Sequence, residues 1–175
     1  MEDNMKKMFA CLVALFILTL TAHSFAEELK MGYIDISRTF DEYTRTKEAD
    51  AVLEKKGMDK EAQREKMVNE IKKLKEELDL AADKVKPEKQ KTLEDKLKAL
   101  QEYDRTVRED LGKERDNIVK EILKEIDGVI QEFGKKEGYV FIFNDRVLLY
   151  KDKAKELTNS IISTLNSRYQ KKAKP

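Results

Sequence analysis

Apolar residues between positions 44 and 132 recur in steps of three and four, which is the spacing of one face of an α-helix. Lys, Glu, Leu and Ala dominate this stretch, and Gly and Pro are rare. The pattern predicts two long helices that pack along heptad seams. The apolar positions are Met67, Ile71, Leu74, Leu78, Ala81 and Val85 in the first series, and Leu93, Leu97 and Leu100 in the second.

Pro87 separates these two series. A proline cannot continue a helix without losing a backbone hydrogen bond, and it restrains Lys86 to an extended conformation. We therefore expect the chain to turn back at a tip near residues 83–87. Residues 44–132 would then form an antiparallel helical coiled-coil hairpin, which we call the arm. The alternative is one very long helix in a parallel coiled coil.

An antiparallel hairpin requires the numbers of facing residues to add up to a constant. In several apolar pairs the two residue numbers add up to 171, which predicts one continuous seam from the tip to the end of the arm next to the base, which we call the foot. These pairs are Leu78 with Leu93, Leu74 with Leu97, Ile71 with Leu100, Leu53 with Ile118 and Ala49 with Ile122.

The two segments that flank the arm, 27–43 and 133–175, contain nine of the ten aromatic residues after position 26, and Tyr103 is the tenth. We expect these segments to share one small β-rich core, which we call the base. The fold class is therefore α+β and predominantly α. The predicted elements of the base are strands at Leu29–Ile36, Tyr139–Phe143 and Val147–Tyr150, a hairpin loop at Asn144-Asp145-Arg146, a capping box of Thr39 with Glu42 for the first arm helix, and a final helix beginning near Thr158.

The strand at Tyr139–Phe143 is apolar on both faces, so both faces need a cover. Three strands and one short helix are too little for this, and we expect the base to oligomerise through its strands, which would also remove exposed edges. The candidate interface residues are Ile34, Tyr139, Phe141, Ile142, Phe143 and Leu148.

The foot of the second arm helix carries an apolar stripe wider than a two-helix seam requires. The chain's own base, a neighbouring subunit or an apolar client could cover this stripe. Its members are Ile118, Val119, Ile122, Leu123, Ile126, Val129, Ile130 and Phe133.

Residues 1–26 have the pattern of a secretory signal: Lys6 and Lys7 precede an apolar run, and Ser24-Phe25-Ala26 ends it. We expect cleavage after Ala26, and an uncleaved membrane anchor is the alternative. Cleavage would remove the only cysteine and the only histidine of the chain, Cys11 and His23. Thiol nucleophiles, histidine bases and the usual zinc sites would then be excluded. We expect no enzyme activity and no cofactor, with a carboxylate-based hydrolase as the formal alternative.

Charged residues make up 41% of the chain, but Lys plus Arg (36) nearly balances Asp plus Glu (35). A net charge of +1 gives no general attraction to a polyanion, so we expect no nucleic-acid partner. A local positive patch is predicted at the tip, with a merely solvated turn as the alternative. Its members are Lys84, Lys86, Lys89 and Lys91.

Two glycines, Gly57 and Gly112, interrupt the arm far from its tip and its foot. In the register whose facing residue numbers add up to 171, Gly57 faces Glu114. Gly57 then lies within two residues of the level of Gly112. Because glycine weakens a helix, we expect a hinge at this level. Two unrelated surface glycines are the alternative.

Taken in order, these parts resemble the Skp/OmpH family of periplasmic chaperones over essentially all of residues 27–175. The residues that carry the resemblance are Gly32-Tyr33-Ile34-Asp35, Arg38-Thr39-Phe40, Gly138-Tyr139-Val140-Phe141-Ile142, Val147-Leu148-Leu149-Tyr150 and Leu165-Asn166. The resemblance implies a homotrimer whose strands form a central barrel, with three arms around a cavity that holds unfolded outer-membrane proteins.

The resemblance further implies a holdase in the periplasm that prevents aggregation of its clients without ATP. It leaves open a weak contact with membrane or lipopolysaccharide, to which we assign no family residues. Well-known members of the family are strongly basic, whereas this chain is nearly neutral. The alternative function is a periplasmic structural scaffold or spacer that binds no client.

Overall fold

The computed structural model describes residues 29–173, so the predicted signal segment lies outside the described residues. The elements from Met31 onward belong to one compact unit. In chain order they are β1 (Met31–Ile34), α1 (Ile36–Glu42), α2 (Thr44–Asp79), α3 (Lys86–Glu137), β2 (Phe141–Asn144), two short 3₁₀ helices (Asp145–Val147 and Lys153–Lys155) and α4 (Thr158–Ala173).

The sheet of the described residues has two parallel strands. Met31 of β1 is opposite Phe141 of β2, and Ile34 is opposite Asn144. On the other side of β1, Tyr33 forms a bridge with Glu156. Strand β1 is therefore flanked on both sides, whereas β2 lies at the edge.

The predicted strand at Val147–Tyr150 and the hairpin before it are wrong for the single chain. The Asn144 side chain accepts a hydrogen bond from the amide of Arg146 (3.3 Å) and begins the 3₁₀ helix Asp145–Val147. This local turn carries the chain away from the sheet, so residues 147–150 pair with no strand among the described residues.

The predicted capping box of Thr39 with Glu42 is also wrong. Asp35 caps α1, because its Oδ1 accepts a hydrogen bond from the amide of Arg38 (2.9 Å). Thr39 lies inside α1 and donates its hydroxyl to the Asp35 carbonyl (2.7 Å). The amide of Thr44, at the start of α2, donates instead to Asn166 Oδ1 of α4 (2.8 Å). A long-range cap has taken the place of the local one that the sequence pattern suggested.

Helices α2 and α3 are joined by side-chain pairs from Arg45 near the base to Glu77 near the tip. Residue numbers fall on α3 as they rise on α2, which is the order produced by helices that run in opposite directions. The pairs are Arg45 with Glu121 and Glu125, Lys56 with Glu114, Arg64 with Asp104, Glu70 with Lys96, and Glu77 with Lys89. Residues 80–85 connect the helices, and Pro87 lies in the first turn of α3, where its missing N–H is not needed.

The register predicted from the apolar pairs is wrong by about three residues. The numbers of the paired charged residues add up to 166, 168 or 170, so the seam between the helices centres near 168 instead of 171. Ile71 then lies at the level of Leu97, and Leu74 lies near the level of Leu93. A shift by about one helical turn again places apolar residues opposite apolar residues, so the apolar repeat alone could not distinguish the two registers.

The core lies where α3 and α4 pack against β1 and the residue before α2, so from here on the base also includes the end of α3 from Ile118 onward. Its buried members are Ile34, Tyr43, Ile122, Ile126, Val129, Ile161 and Leu165. The chain's own base therefore covers much of the apolar stripe on α3. Leu123 of that stripe remains exposed.

Candidate functional site

The strongest candidate site is an exposed apolar run at the edge of the base, residues 140–150, which we call the edge segment. Phe141 and Phe143 stand on the same face of β2, with their ring centroids 5.9 Å apart. Both rings are exposed, Phe141 by 51%. Ile142 points the other way and packs against the core. Strand β2 thus has one face that its own chain covers and one that it leaves open.

The part of the edge segment that follows β2 is more exposed still. Leu149 and Tyr150 are almost entirely accessible, and Val147 is 69% exposed. Among the described residues, β2 also has only β1 as a strand neighbour, so its outer backbone edge is open. Exposed apolar side chains beside an open strand edge are typical of a protein interface.

The structure places the six predicted interface residues in three settings. Ile34 is only 1% exposed and belongs to the core, so its side chain cannot reach a second chain in this conformation. Tyr139 is half-buried and stacks on Phe133 (6.0 Å between centroids), and Ile142 and Leu148 are also half-buried. Phe141 and Phe143 present the open surface. Sequence reasoning did not include Val147, Leu149 and Tyr150 among the interface residues, although their apolar run was the available signal.

A polar cluster fixes the foot of the arm to the base, and sequence reasoning missed it. We call Tyr43, Arg45, Glu125 and Lys172 the junction cluster. Glu125 accepts hydrogen bonds from Tyr43 Oη (2.9 Å), Arg45 Nη1 (3.0 Å) and Lys172 Nζ (3.5 Å). The donors and the acceptor come from three separate parts of the chain, so no local pattern signals the cluster.

The surroundings of the junction cluster change its acidity. Burial alone would raise the pKa of Glu125, but the hydrogen bonds from Arg45 and Tyr43 outweigh burial and lower it below its ordinary value. Burial and the hydrogen bond to Glu125 both raise the pKa of Tyr43. The cluster is therefore a charged carboxylate held by a neutral phenol and two cations. It is suited to positioning the arm.

The tip is less basic than its sequence suggests. Lys89 pairs with Glu77 (2.7 Å), and Lys86 pairs with Asp83 (3.0 Å), so two of the four lysines of the predicted patch have acidic partners. Lys84 and Lys91 are exposed. The turn also carries Leu80, which is 89% exposed.

The two glycines of the arm lie inside continuous helices, Gly57 in α2 and Gly112 in α3. A Cβ atom added at either position meets no atom within 4 Å. The corrected register places Gly57 opposite Leu111, one residue from Gly112. Both helices therefore have open space and no side chain at nearly the same level.

Two features are absent from the described residues. Across 29–173, no group of three or more His, Cys, Asp or Glu residues is arranged to hold a metal ion. In the same part of the chain, no helix has the length and apolar character to cross a membrane.

Comparisons with known proteins identify the family of this chain. No curated protein sequence matches the chain. The fold is similar to the crystal structure of a provisionally assigned outer membrane chaperone (OmpH-like) from Caulobacter crescentus CB15, with a TM-score of 0.68 and 16% sequence identity. The match covers 79% of this chain and 85% of that one. The family described as outer membrane protein (OmpH-like) matches residues 30–165, and the chain therefore belongs to the OmpH-like family.

Proposed function

We propose that this protein is an ATP-independent holdase chaperone of the periplasm, which binds unfolded outer-membrane proteins and prevents their aggregation. One observation carries the proposal beyond family membership. The chain combines a long, highly charged two-helix arm with a packed base whose edge segment is left open. This combination suits an assembly in which several arms surround an enclosed space.

The proposed assembly is a homotrimer formed through the edge segments. Residues 147–150 have the composition of a strand but pair with no strand among the described residues, where the outer edge of β2 is also open. Pairing between copies would give residues 147–150 a strand partner and would cover the open edge of β2. An added strand supplies main-chain hydrogen bonds and covers apolar side chains. Phe141 and Phe143 would lie in the interface.

The assembly is tested by replacing Phe141 with Asp. Sedimentation at micromolar concentration should show a trimer for the wild type and a monomer for Phe141→Asp. Val52→Asp is the matched control, because Val52 is equally exposed (52%) but lies on the arm, and it should leave the trimer intact. A monomeric wild type would end the trimer proposal.

The proposed mechanism is physical capture. In the assembly, antiparallel arms form the walls of a cavity, and many weak apolar and electrostatic contacts keep an unfolded client at high local concentration. The mechanism requires neither nucleotide nor metal. Exposed Lys84 and Lys91 at the tip could add a weak contact with membrane or lipopolysaccharide, although partly compensated charge keeps that contact weak.

The deciding experiment is light scattering of an outer-membrane porin diluted from denaturant. The wild-type protein should suppress aggregation, and suppression should survive a chelator and apyrase. A structural scaffold, the alternative function, would leave aggregation unchanged. The proposed export signal is tested separately, because the protein recovered from periplasm should begin at Glu27.

A further inference from the structure

One layer of the arm seam is charged. Arg64 Nε donates to Asp104 Oδ1 across the seam at 2.9 Å, and both residues are half-buried, as are their seam neighbours Met67 and Leu100. Their numbers add up to 168, the centre of the observed register. Arg64 and Asp104 also continue the three- and four-residue spacing of Met67 and Leu100, so this ion pair occupies the seam. The residue numbers of the other arm pairs add up to 166 or 170, which places the partners of each pair at slightly different levels.

The apolar residues toward the tip are compatible with a second register. In this second register, the numbers of facing residues add up to 171. Leu78 then faces Leu93, Leu74 faces Leu97, and Ile71 faces Leu100. The observed register leaves Leu97 43% exposed, although it is a seam leucine. The two registers differ by three residues, which corresponds to about 4.5 Å along the helix axis.

The charged layer distinguishes the two registers. At 171, Arg64 would face Val107, and Asp104 would face Met67, so each charge would lie against an apolar side chain and lose its partner. A polar residue in a coiled-coil seam specifies register in this way. We propose that the part of the arm beyond Gly57 and Gly112 has two registers about one helical turn apart, and that the Arg64–Asp104 pair holds it in the one observed.

The foot of the arm keeps its register in both states. The junction cluster and the buried residues Ile122 and Ile126 fix α2 and α3 to the base. Gly57 and Gly112 lie between the foot and the charged layer, where glycine lowers the cost of unwinding the few residues that a shift of about 4.5 Å requires. The tip turn, with its exposed Leu80, rearranges at the other end. The shift moves the outer part of α3 toward the tip while the base stays unchanged.

Disulfide formation between engineered cysteines reports the register. In the full chain with Cys11→Ser, one variant carries Leu74→Cys with Leu93→Cys, and a second carries Leu74→Cys with Leu97→Cys. Because a disulfide requires closely spaced Cα atoms, the first should oxidise about tenfold faster than the second in the observed register. Adding the apolar replacement, Arg64→Leu with Asp104→Leu, should bring the second to a rate similar to that of the first.

Two controls separate a register change from a loss of structure. The charge-swapped combination Arg64→Asp with Asp104→Arg restores the ion pair and should restore the wild-type ratio of rates. A pair at the foot, Ala49→Cys with Val119→Cys, should oxidise at the same rate in every background, and circular dichroism should show unchanged helix content. An unchanged ratio after the apolar replacement, or a charge swap that behaves like the apolar replacement, would overturn the proposal. No client is present, so the outcome is independent of holdase activity.

Discussion

The base and the arm are built on different principles. The base buries Tyr43, Ile122 and Ile161 completely, and elements distant in sequence meet around them. Helix α2 of the arm spans 36 residues, yet Thr46, next to the base, is its only buried residue. Shape complementarity therefore specifies the base, whereas a narrow apolar seam and paired charges specify the arm. The apolar residues of the arm are compatible with two alignments of similar apolar content, and we expect no such alternative in the base.

The largest expected effect tests this contrast with one substitution in each region. Ile126 is 1% exposed in the base core, and Ile71 is half-buried in the arm seam. Ile126→Ala should lower the free energy of unfolding by about 2–5 kcal/mol, because it leaves a cavity that neighbours cannot fill. Ile71→Ala should lower the free energy of unfolding by about 1–2 kcal/mol, because water already reaches the Ile71 side chain. Urea denaturation measures both, and equal losses would contradict the contrast.

The same difference explains what could be predicted from the sequence. The long helices follow from local spacing, and α4 begins at Thr158 as expected from its apolar repeat. The register could not be obtained this way, because Leu74 finds a leucine partner in either alignment. The charged layer of Arg64 and Asp104 is the feature that distinguishes the two registers. It is visible only when both helices are considered together.

In the base, prediction failed where long-range contacts override local signals. The apolar run identified Phe141, Ile142 and Phe143 as strand residues, but it could not say which face the chain covers. The same pattern placed Ile34 among the interface residues, and the structure buries its side chain in the core that α3 and α4 complete. The local capping signal at Thr39 was overridden by Asp35 and by Asn166 from the far end of the chain.

The next largest effect concerns close packing in the base. A Cβ atom on Gly32 would lie 2.6 Å from Leu157 Cδ1 and 3.1 Å from Tyr139 Cε1. Because Leu157 is itself buried, Gly32→Ala should destabilise the protein by about 1–3 kcal/mol. Gly128→Ala is the matched control in the same base, since its Cβ would meet nothing within 4 Å. Thermal unfolding distinguishes them, and a neutral Gly32→Ala would show that the base packs more loosely than we infer.

A smaller effect tests the junction cluster, where base and arm meet. Tyr43→Phe removes a donor from Glu125 and should cost about 1 kcal/mol at neutral pH. Because the pKa of Glu125 is lowered on folding, its contribution to stability is present above the ordinary carboxyl pKa and is lost as pH falls through the lowered value. Tyr43→Phe should raise that pKa, so the loss of stability between about pH 7 and about pH 3 should shrink.

Carbon-13 NMR of the Glu125 carboxyl measures the pKa change directly, and urea denaturation at both pH values measures the stability. Tyr103→Phe is the control in the arm, because the Tyr103 hydroxyl contacts the Lys60 carbonyl and Gln63 (both 2.9 Å) and no carboxylate. It should leave the acid dependence unchanged. Identical pH profiles for Tyr43→Phe and the wild type would show that Glu125 does not depend on Tyr43.

The smallest effect in stability sharpens the contrast from the side of the arm. Gly57→Ala and Gly112→Ala should each stabilise the protein by about 0.5–1 kcal/mol, because both positions are helical and have open space for a methyl group. If the two glycines form a hinge, the double variant should also narrow the distribution of distances between spin labels at the arm tips, and impair capture of large clients more than small ones. Gly128→Ala, in the base part of α3, should stabilise without narrowing that distribution. A double variant that gains stability but keeps the wild-type distances would contradict the hinge. Gly57 and Gly112 would then be two unrelated surface glycines, and any bending of the arm would occur elsewhere.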